Sequence, residues 1–273
     1  IGAIILAGIA ALSVAGPLAL QLALSRGVFT AQLDGALERA TGRRITYGAL
    51  DVRFGLMPRI ALDDAVIANA AGATQSHFAR IQHFEVTLAL LPLIGGRVEI
   101  DSLLLSGAEI VLERDAEGHG NWVFDAGGGA SSSSGGLSIK EVTIEASRIL
   151  LPGGPVGAVE IDRLEIARDE PEDPLELQGR IRLDGEPLSI TASLGRETDG
   201  ALPLEAAVAA EGISLRLKGR WPRGAEVRDW SLALDAEGEG AAVQRWARRF
   251  GQDLPLSGPV SLSARLAPGD PWP

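Results

Sequence analysis

From Arg44 onward, apolar residues recur at every second position in run after run, and no other feature of the chain constrains its fold as strongly. Leu188, Ile190, Ala192 and Leu194 alternate with polar residues. Ile213, Leu215, Leu217 and Gly219 do the same, with Arg216, Lys218 and Arg220 between and beyond them. Trp230, Leu232, Leu234 and Ala236 follow, then Val260, Leu262, Ala264 and Leu266. Successive side chains of a strand point to opposite faces, so each run has one apolar and one polar face, as half-buried antiparallel sheets do. In the first half the same pattern predicts strands over 45–54, 59–67, 78–88, 98–105 and 109–114. Residues 90–96 read as a helical turn or a loop packed on the sheet. Hydrophobic residues make up 46% of the chain and aromatics only 4%, so the apolar side chains are mostly Ala, Leu, Ile and Val. The expected fold is mainly β: a curved antiparallel sheet of repeated β-units, groove-like, with few helices.

A three-residue step recurs inside the two-residue period. Ile81, Phe84 and Val86 show it, then Ile100, Leu103 and Leu105, then Ile139, Val142 and Ile144, then Ile161, Leu164 and Ile166. The second and third copies also match at Ile110 and Leu112 against Ile149 and Leu151. A three-residue step reverses side-chain parity, so a bulge or bend at that point is needed to keep all three residues on one face. Repeated bends of this kind point to a curved sheet built from similar units.

Helical patterns are few. Residues 1–24 carry no charge, and Ser13 and Gln21 are their only clearly polar side chains. At about 1.5 Å per residue such a helix crosses a ~30 Å hydrocarbon core. A cleaved signal peptide has a shorter apolar run and a small-residue cleavage site, and neither fits here. Phe29, Leu33, Ala36, Leu37 and Ala40 follow at helical spacing, with Gly42 as the stop. A second amphipathic helix is expected near 241–250, with Val243, Trp246, Ala247 and Phe250 on one side. The expected organisation is a transmembrane anchor over 1–25, a β module with its leading helix over 26–125, a Gly/Ser linker over 126–136, and a second β-sheet module over 137–273. Starting at Ile1 and ending in Pro-Trp-Pro, the sequence reads as a piece of a longer chain.

Composition excludes several functions. A net charge of −11 argues against nucleic acid, since phosphate binding needs a basic surface. The chain has no Cys, so it has neither a thiol nucleophile nor a Cys-based metal site. His77 and His83 lie at a spacing that suits neither a helical metal pair nor a zinc motif. His119 falls in a Gly-flanked turn near Glu113, Asp115 and Glu117 that lacks the oxygen density of a calcium loop. Adjacent Asp63 and Asp64 point to opposite faces of a strand and cannot act as an acid/base pair. No Gly-x-Ser-x-Gly is present, and the glycines of 126–136 lack a following Gly-Lys-Ser/Thr. No catalytic residue, metal or cofactor is expected, and the chain reads as non-enzymatic.

An ordered set of motifs in the first 125 residues carries a resemblance. An uncharged segment is followed by an amphipathic helix ending in Thr41-Gly42-Arg43. Next come Leu56-Met57-Pro58-Arg59-Ile60-Ala61-Leu62-Asp63-Asp64 and Leu90-Leu91-Pro92-Leu93-Ile94-Gly95-Gly96. Leu112-Glu113-Arg114-Asp115 then precedes Gly118-His119-Gly120-Asn121-Trp122. In this order they resemble the N-terminal region of the AsmA family. The resemblance implies a protein held in the inner membrane of a Gram-negative bacterium, with elongated β-structure in the periplasm. Larger members look like bridge-type lipid transporters with a long apolar groove, linked to outer-membrane biogenesis. The periplasmic orientation is implied by the resemblance alone: Arg26, Arg39, Arg43 and Arg44 after the anchor would by themselves favour the cytoplasm, although long domains translocate regardless of such charges.

Periodicity does not decide whether the apolar face is an open groove or the closed core of a β-sandwich. If a groove exists, its lining falls to Leu188, Ile190, Leu194, Leu215, Leu217, Leu232 and Leu234, in contact with phospholipid acyl chains. The other reading is a structural module that docks envelope partner proteins through its sheet.

Overall fold

The computed structural model describes residues 38, 41–53, 55–70, 72–94, 99–115, 118–123, 138–154, 156–170, 173–222 and 231–266. The expected anchor over 1–25, the Gly/Ser linker over 126–136 and Trp230 lie outside the described residues. Among those residues, no helix is long and apolar enough to cross a membrane. The chain divides into two compact units, residues 1–153 and 154–273.

The first unit contains β1 (Ile45–Thr46), β2 (Ala49–Arg53), β3 (Arg59–Ala68), β4 (His77–Leu88), α1 (Leu90–Ile94), β5 (Glu99–Val111) and β6 (Ser138–Leu150). Before β1, Gly42 adopts φ 65°, and its N–H bonds to the Glu38 carbonyl at 2.7 Å. Glu38 and Thr41 are helical, and this left-handed residue follows them where the sequence places the helix stop; Phe29, Leu33, Ala36, Leu37 and Ala40 of the expected leading helix lie outside the described residues. β1 and β2 both pair antiparallel with β3, β3 pairs with β4, and β4 with β5. β5 and β6 pair in parallel, a departure from the expected all-antiparallel sheet. Ile100 lies beside Ile139, Leu103 beside Val142, Leu105 beside Ile144 and Ile110 beside Ile149. The two best-matched copies of the sequence repeat are therefore neighbours in parallel register. β6, hydrogen-bonded along β5, falls in the first unit.

The three-residue steps are built into the sheet as creases. Ile100 (0% exposed), Leu103 and Leu105 all face the core, because Asp101 is an extra residue opposite β4. A second crease crosses every strand of the unit. In continuous register it runs through Gly48, Asp64, Gln82, Gly107 and Ala146. Asp64, Gly107 and Ala146 all have left-handed φ, of 53°, 62° and 47°. On either side of the row the buried residues keep the same face: Leu62 then Ala65, Leu105 then Ala108, Ile144 then Ser147. Two expected boundaries are corrected by this row. The single strand over 45–54 is broken at Tyr47-Gly48, opposite Asp64. The two strands over 98–105 and 109–114 are one strand that bends at Gly107.

A crease interrupts the ladder, and a buried N–H left there without a partner is costly. Ser147 answers this: its hydroxyl accepts from the Ala108 N–H at 3.0 Å and donates to the Glu145 carbonyl at 2.7 Å. Gly107 is required twice over, since a Cβ there would meet the Gln82 side chain at 2.5 Å in a left-handed backbone.

The second unit is simpler. β7 (Ala158–Ala167), β8 (Leu175–Leu183), β9 (Glu186–Leu194), β10 (Ala201–Ala210), β11 (Ile213–Pro222), β12 (Ser231–Glu239) and β13 (Pro259–Leu266) pair antiparallel, each with the next in sequence. The β8–β9 hairpin turns on Asp184-Gly185, both left-handed, the chemistry a two-residue turn needs. β7 carries its three-residue step as a bulge at Asp162. The predicted second helix is α2 (Gly240–Arg249), between β12 and β13.

Neighbouring substitutions at the crease separate these effects. Ser147→Ala leaves the Ala108 N–H unsatisfied and lowers stability by about 1–3 kcal/mol. Ala146→Gly removes a left-handed Cβ penalty and raises stability by roughly 1 kcal/mol. Urea unfolding of the two variants against the parent reads both signs.

Candidate functional site

Two places draw attention: the Gly118–Trp122 turn that the sequence singles out, and the alternating face of the second unit.

The turn is a polar clamp. Asn121 is 5% exposed, and its side chain accepts from the Glu113 N–H at 3.0 Å while donating to the Val111 carbonyl at 2.8 Å and to Asn69 at 3.0 Å. The buried Glu113 carboxylate accepts from the Asn69 amide at 2.7 Å, from the Thr74 and Gln75 N–H groups at 3.3 Å, and from the Thr74 hydroxyl. Arg43 reaches the carbonyls of Asn121 (2.5 Å) and Val123 (3.1 Å), and its guanidinium lies 5.1 Å from the centre of the Phe78 ring. Trp122 folds back over Gly120, where a Cβ would meet the indole at 2.3 Å, and Arg114 stacks on the ring at 4.9 Å. Glycine at 120, Asn at 121 and Trp at 122 each have a packing reason, as expected for a hairpin anchor.

Burial by itself would push the Glu113 carboxyl up. The hydrogen bonds from Thr74, Gln75 and Asn69 outweigh it and hold the group below the ordinary carboxylate value. Glu109 is also held low, chiefly by its hydrogen bond from Arg148, with His77 at 3.5 Å beside it. Asp63 pairs with His83 at 2.6 Å on the sheet surface. His119 bonds back to Asp115, its N–H to one carboxylate oxygen at 2.7 Å. Among the described residues, no cluster of His, Asp and Glu could hold a metal ion.

The second unit brings all seven sequence-predicted lining residues to one face. The strand registers arrange that face in rows running across the strands. One row is Leu164, Gly179, Ile190, Val208, Leu215, Ala236 and Leu262. The next is Ile166, Leu177, Ala192, Ala206, Leu217, Leu234 and Ala264. A third runs Leu175, Leu194, Leu204, Gly219 and Leu232. No charged residue interrupts any of the three. Of the seven predicted residues only Leu188 is buried, at 8% exposed. Ile190, Leu194, Leu215, Leu217, Leu232 and Leu234 are half-buried. The first unit, by contrast, buries Val86 and Ile100 completely.

Glycines shape this face, a signal that sequence reading missed. Leu164 lies over Gly179, and Leu232 lies over Gly219; added Cβ atoms would meet those side chains at 2.6 and 2.5 Å. Two leucines thus lie flat along the sheet. Gly238 and Gly212 make room for α2, since their Cβ atoms would meet Val243 at 3.1 Å and Ala242 at 3.0 Å. α2 seats at the hairpin-turn end of the unit. Its Arg249 is tied to the Leu183 carbonyl at 3.0 Å and to Glu186 at 3.2 Å, and stacks on Trp246 at 5.2 Å. The opposite face is polar, with Lys218 paired to Glu205 at 2.9 Å and Ser193 bonded to Glu176 at 2.8 Å. Shallow depressions of about 280, 460 and 540 Å³ lie between the long side chains of that polar face.

The clamp and creases of the first unit fall inside a region of known ancestry. The family model described as "AsmA family" matches residues 1–160. The chain belongs to the AsmA family. The match extends the motif resemblance from the first 125 residues through β6 and into β7. Most of the apolar face lies beyond it. No curated protein and no solved structure matches the chain. AsmA membership is consistent with a role in the envelope or in lipid transport.

The depressed carboxyl of Glu113 in the clamp, and that of Glu109 beside Arg148, set a direction with pH. A group held below its ordinary value adds stability that is present above that value and lost as pH falls through the folded one. Urea midpoints of the parent therefore hold down to about pH 5 and drop as pH falls further, and Glu113→Gln flattens that drop. Asn121→Ala breaks several buried bonds at once and lowers stability at neutral pH by roughly 3 kcal/mol.

Proposed function

We propose that this AsmA-family chain is a non-enzymatic envelope protein that handles phospholipid, with acyl chains lying on the apolar face of the second unit. One observation carries the reading: the rows through Leu215 and Leu217 each cross seven strands without a charge, and from β8 to β12 every residue in them is half-buried. An acyl chain covering roughly 200 Å² of such a surface gains about 5 kcal/mol at ~25 cal/mol per Å². The contact is non-directional, so a chain displaced from one position on a row meets an equivalent one next to it. This is the physical requirement for moving lipid along a sheet. The polar face, with its ion pairs, keeps the other side of the layer in water.

The uncharged segment 1–24 supports an anchor in the inner membrane, and family membership supports placing the β-structure in the periplasm, in service of outer-membrane biogenesis. A second reading, docking of an envelope protein, has one observation in its favour. Leu262 is 55% exposed on β13, which among the described residues pairs only with β12.

A photocrosslinking amino acid at Ile190 or Leu215, in chain expressed in cells and irradiated, tests the choice. Phospholipid attached at those positions, with none at Arg216 on the polar face, is the expected result. Folded protein that captures no lipid at either inward position excludes the lipid face, and protein adducts at Leu262 then favour docking.

A further inference from the structure

A second surface of the chain is exposed and apolar without belonging to the alternating face. The turn between β2 and β3 exposes Leu56 at 87% and Met57 at 64%. α1 exposes Leu91 at 81%. The two lie at the same end of the first unit, because the Leu88 N–H, just before α1, bonds to the Pro58 carbonyl at 2.8 Å. Neither stretch, 54–58 or 89–96, contains a charged residue. Ion pairs stand at the base of the turn: Arg53 with Asp51 at 2.7 Å, and Arg59 with Glu85 at 3.1 Å.

Large apolar side chains this exposed are unfavourable in water unless a partner covers them. Their form narrows the partner. They stand on a turn and a one-turn helix at the tip of the unit, so they do not make a groove that could receive a helix, and they are not a strand edge that could take another strand. An apolar tip above a collar of charges fits the water–hydrocarbon boundary of a bilayer, with the tip in the acyl region and the collar at the headgroups. The uncharged segment 1–24 of the same chain is long enough to cross a bilayer, which puts that surface within reach. We infer that the tip formed by Leu56, Met57 and Leu91 is a second membrane contact, inserted into the surface of a lipid bilayer. It holds the first unit at a fixed attitude to the membrane. The inference does not depend on lipid binding by the second unit.

The absence of Cys allows a clean test. Leu56→Cys and Leu91→Cys are each labelled with an environment-sensitive fluorophore in the full chain. His119→Cys, in the exposed turn at the opposite end of the unit, is the control. The chains are reconstituted in phosphatidylcholine vesicles, with and without nitroxide-bearing phosphatidylcholine, and far-UV circular dichroism checks that each is folded. Labels at 56 and 91 are expected to shift to shorter emission wavelength and to lose at least half their intensity to the nitroxide lipid, while the label at 119 does neither. Labels at 56 and 91 that behave like the one at 119 overturn the inference. So does a blue shift without nitroxide quenching, which would mean that protein, not lipid, covers the tip.

Discussion

Side chains alternate along a strand, and everything distinctive in the first unit follows from keeping that alternation on one face across interruptions. A three-residue step turns every later side chain over. The chain absorbs it by placing a left-handed residue at the same level in three strands, Asp64, Gly107 and Ala146, and by breaking a fourth at Gly48. A crease confined to one strand would tear the ladder. One that crosses them all bends the sheet and leaves the core continuous from Ile60 to Ile149. The ladder bond lost at the fold line is recovered by Ser147, a small polar residue on a buried face that is otherwise Val142, Ile144 and Ile149 along β6.

The two units solve the same problem differently. The first buries its face and closes one end with a polar clamp, in which Glu113, Asn121, Asn69 and Thr74 satisfy one another. The acidic turn followed by Gly-Asn-Trp, one of the motifs that carry the family resemblance, serves here as hydrogen-bonded structure. The second unit buries Leu164 and Leu188 but leaves most of its other leucines half in water, and its one described helix sits on the hairpin ends. Stability in that unit rests more on backbone pairing between adjacent strands than on deep burial. A surface kept this apolar and this accessible is hard to explain by folding alone, and that is the reason for looking to function.

Most of the strands were legible because period two is a strong signal where one face is wet. The runs through Leu188, Leu215 and Leu234 were assigned to the sheet, and to a common face, from alternation alone. The second helix was legible from Val243, Trp246 and Phe250. Sequence did not show how the strands join. The matched copies at Ile100–Leu105 and Ile139–Ile144 run in the same direction with a constant offset, which is how parallel neighbours in register look, but one apolar and one polar face per strand is the pattern of half-buried antiparallel sheets, and the antiparallel expectation rests on it. The clamp is not legible in the sequence because Arg43 and Asn69 lie far along the chain from Glu113 and Asn121, and nothing in the motifs shows that their side chains meet. The glycines under Leu164, Leu232 and α2 were missed because a glycine in a strand says only that something comes close, not what.

The parallel pairing of β5 with β6 bears on the order in which the chain acquires its structure. Ile100 waits for Ile139, and Val111 for Leu150, so each contact closes a loop of the same considerable length. Until residues 138–150 leave the ribosome, one long side of β5 presents unpaired N–H and C=O groups to any extended segment nearby. The second unit has no such delay, since each of its strands pairs with the one just made and every closure is local. During synthesis the later half can keep pace with translation, whereas the earlier half is incomplete until its last strand arrives. Vulnerability to aggregation and to proteases is therefore concentrated in the newborn N-terminal unit, the part of the chain that is most thoroughly buried once folded.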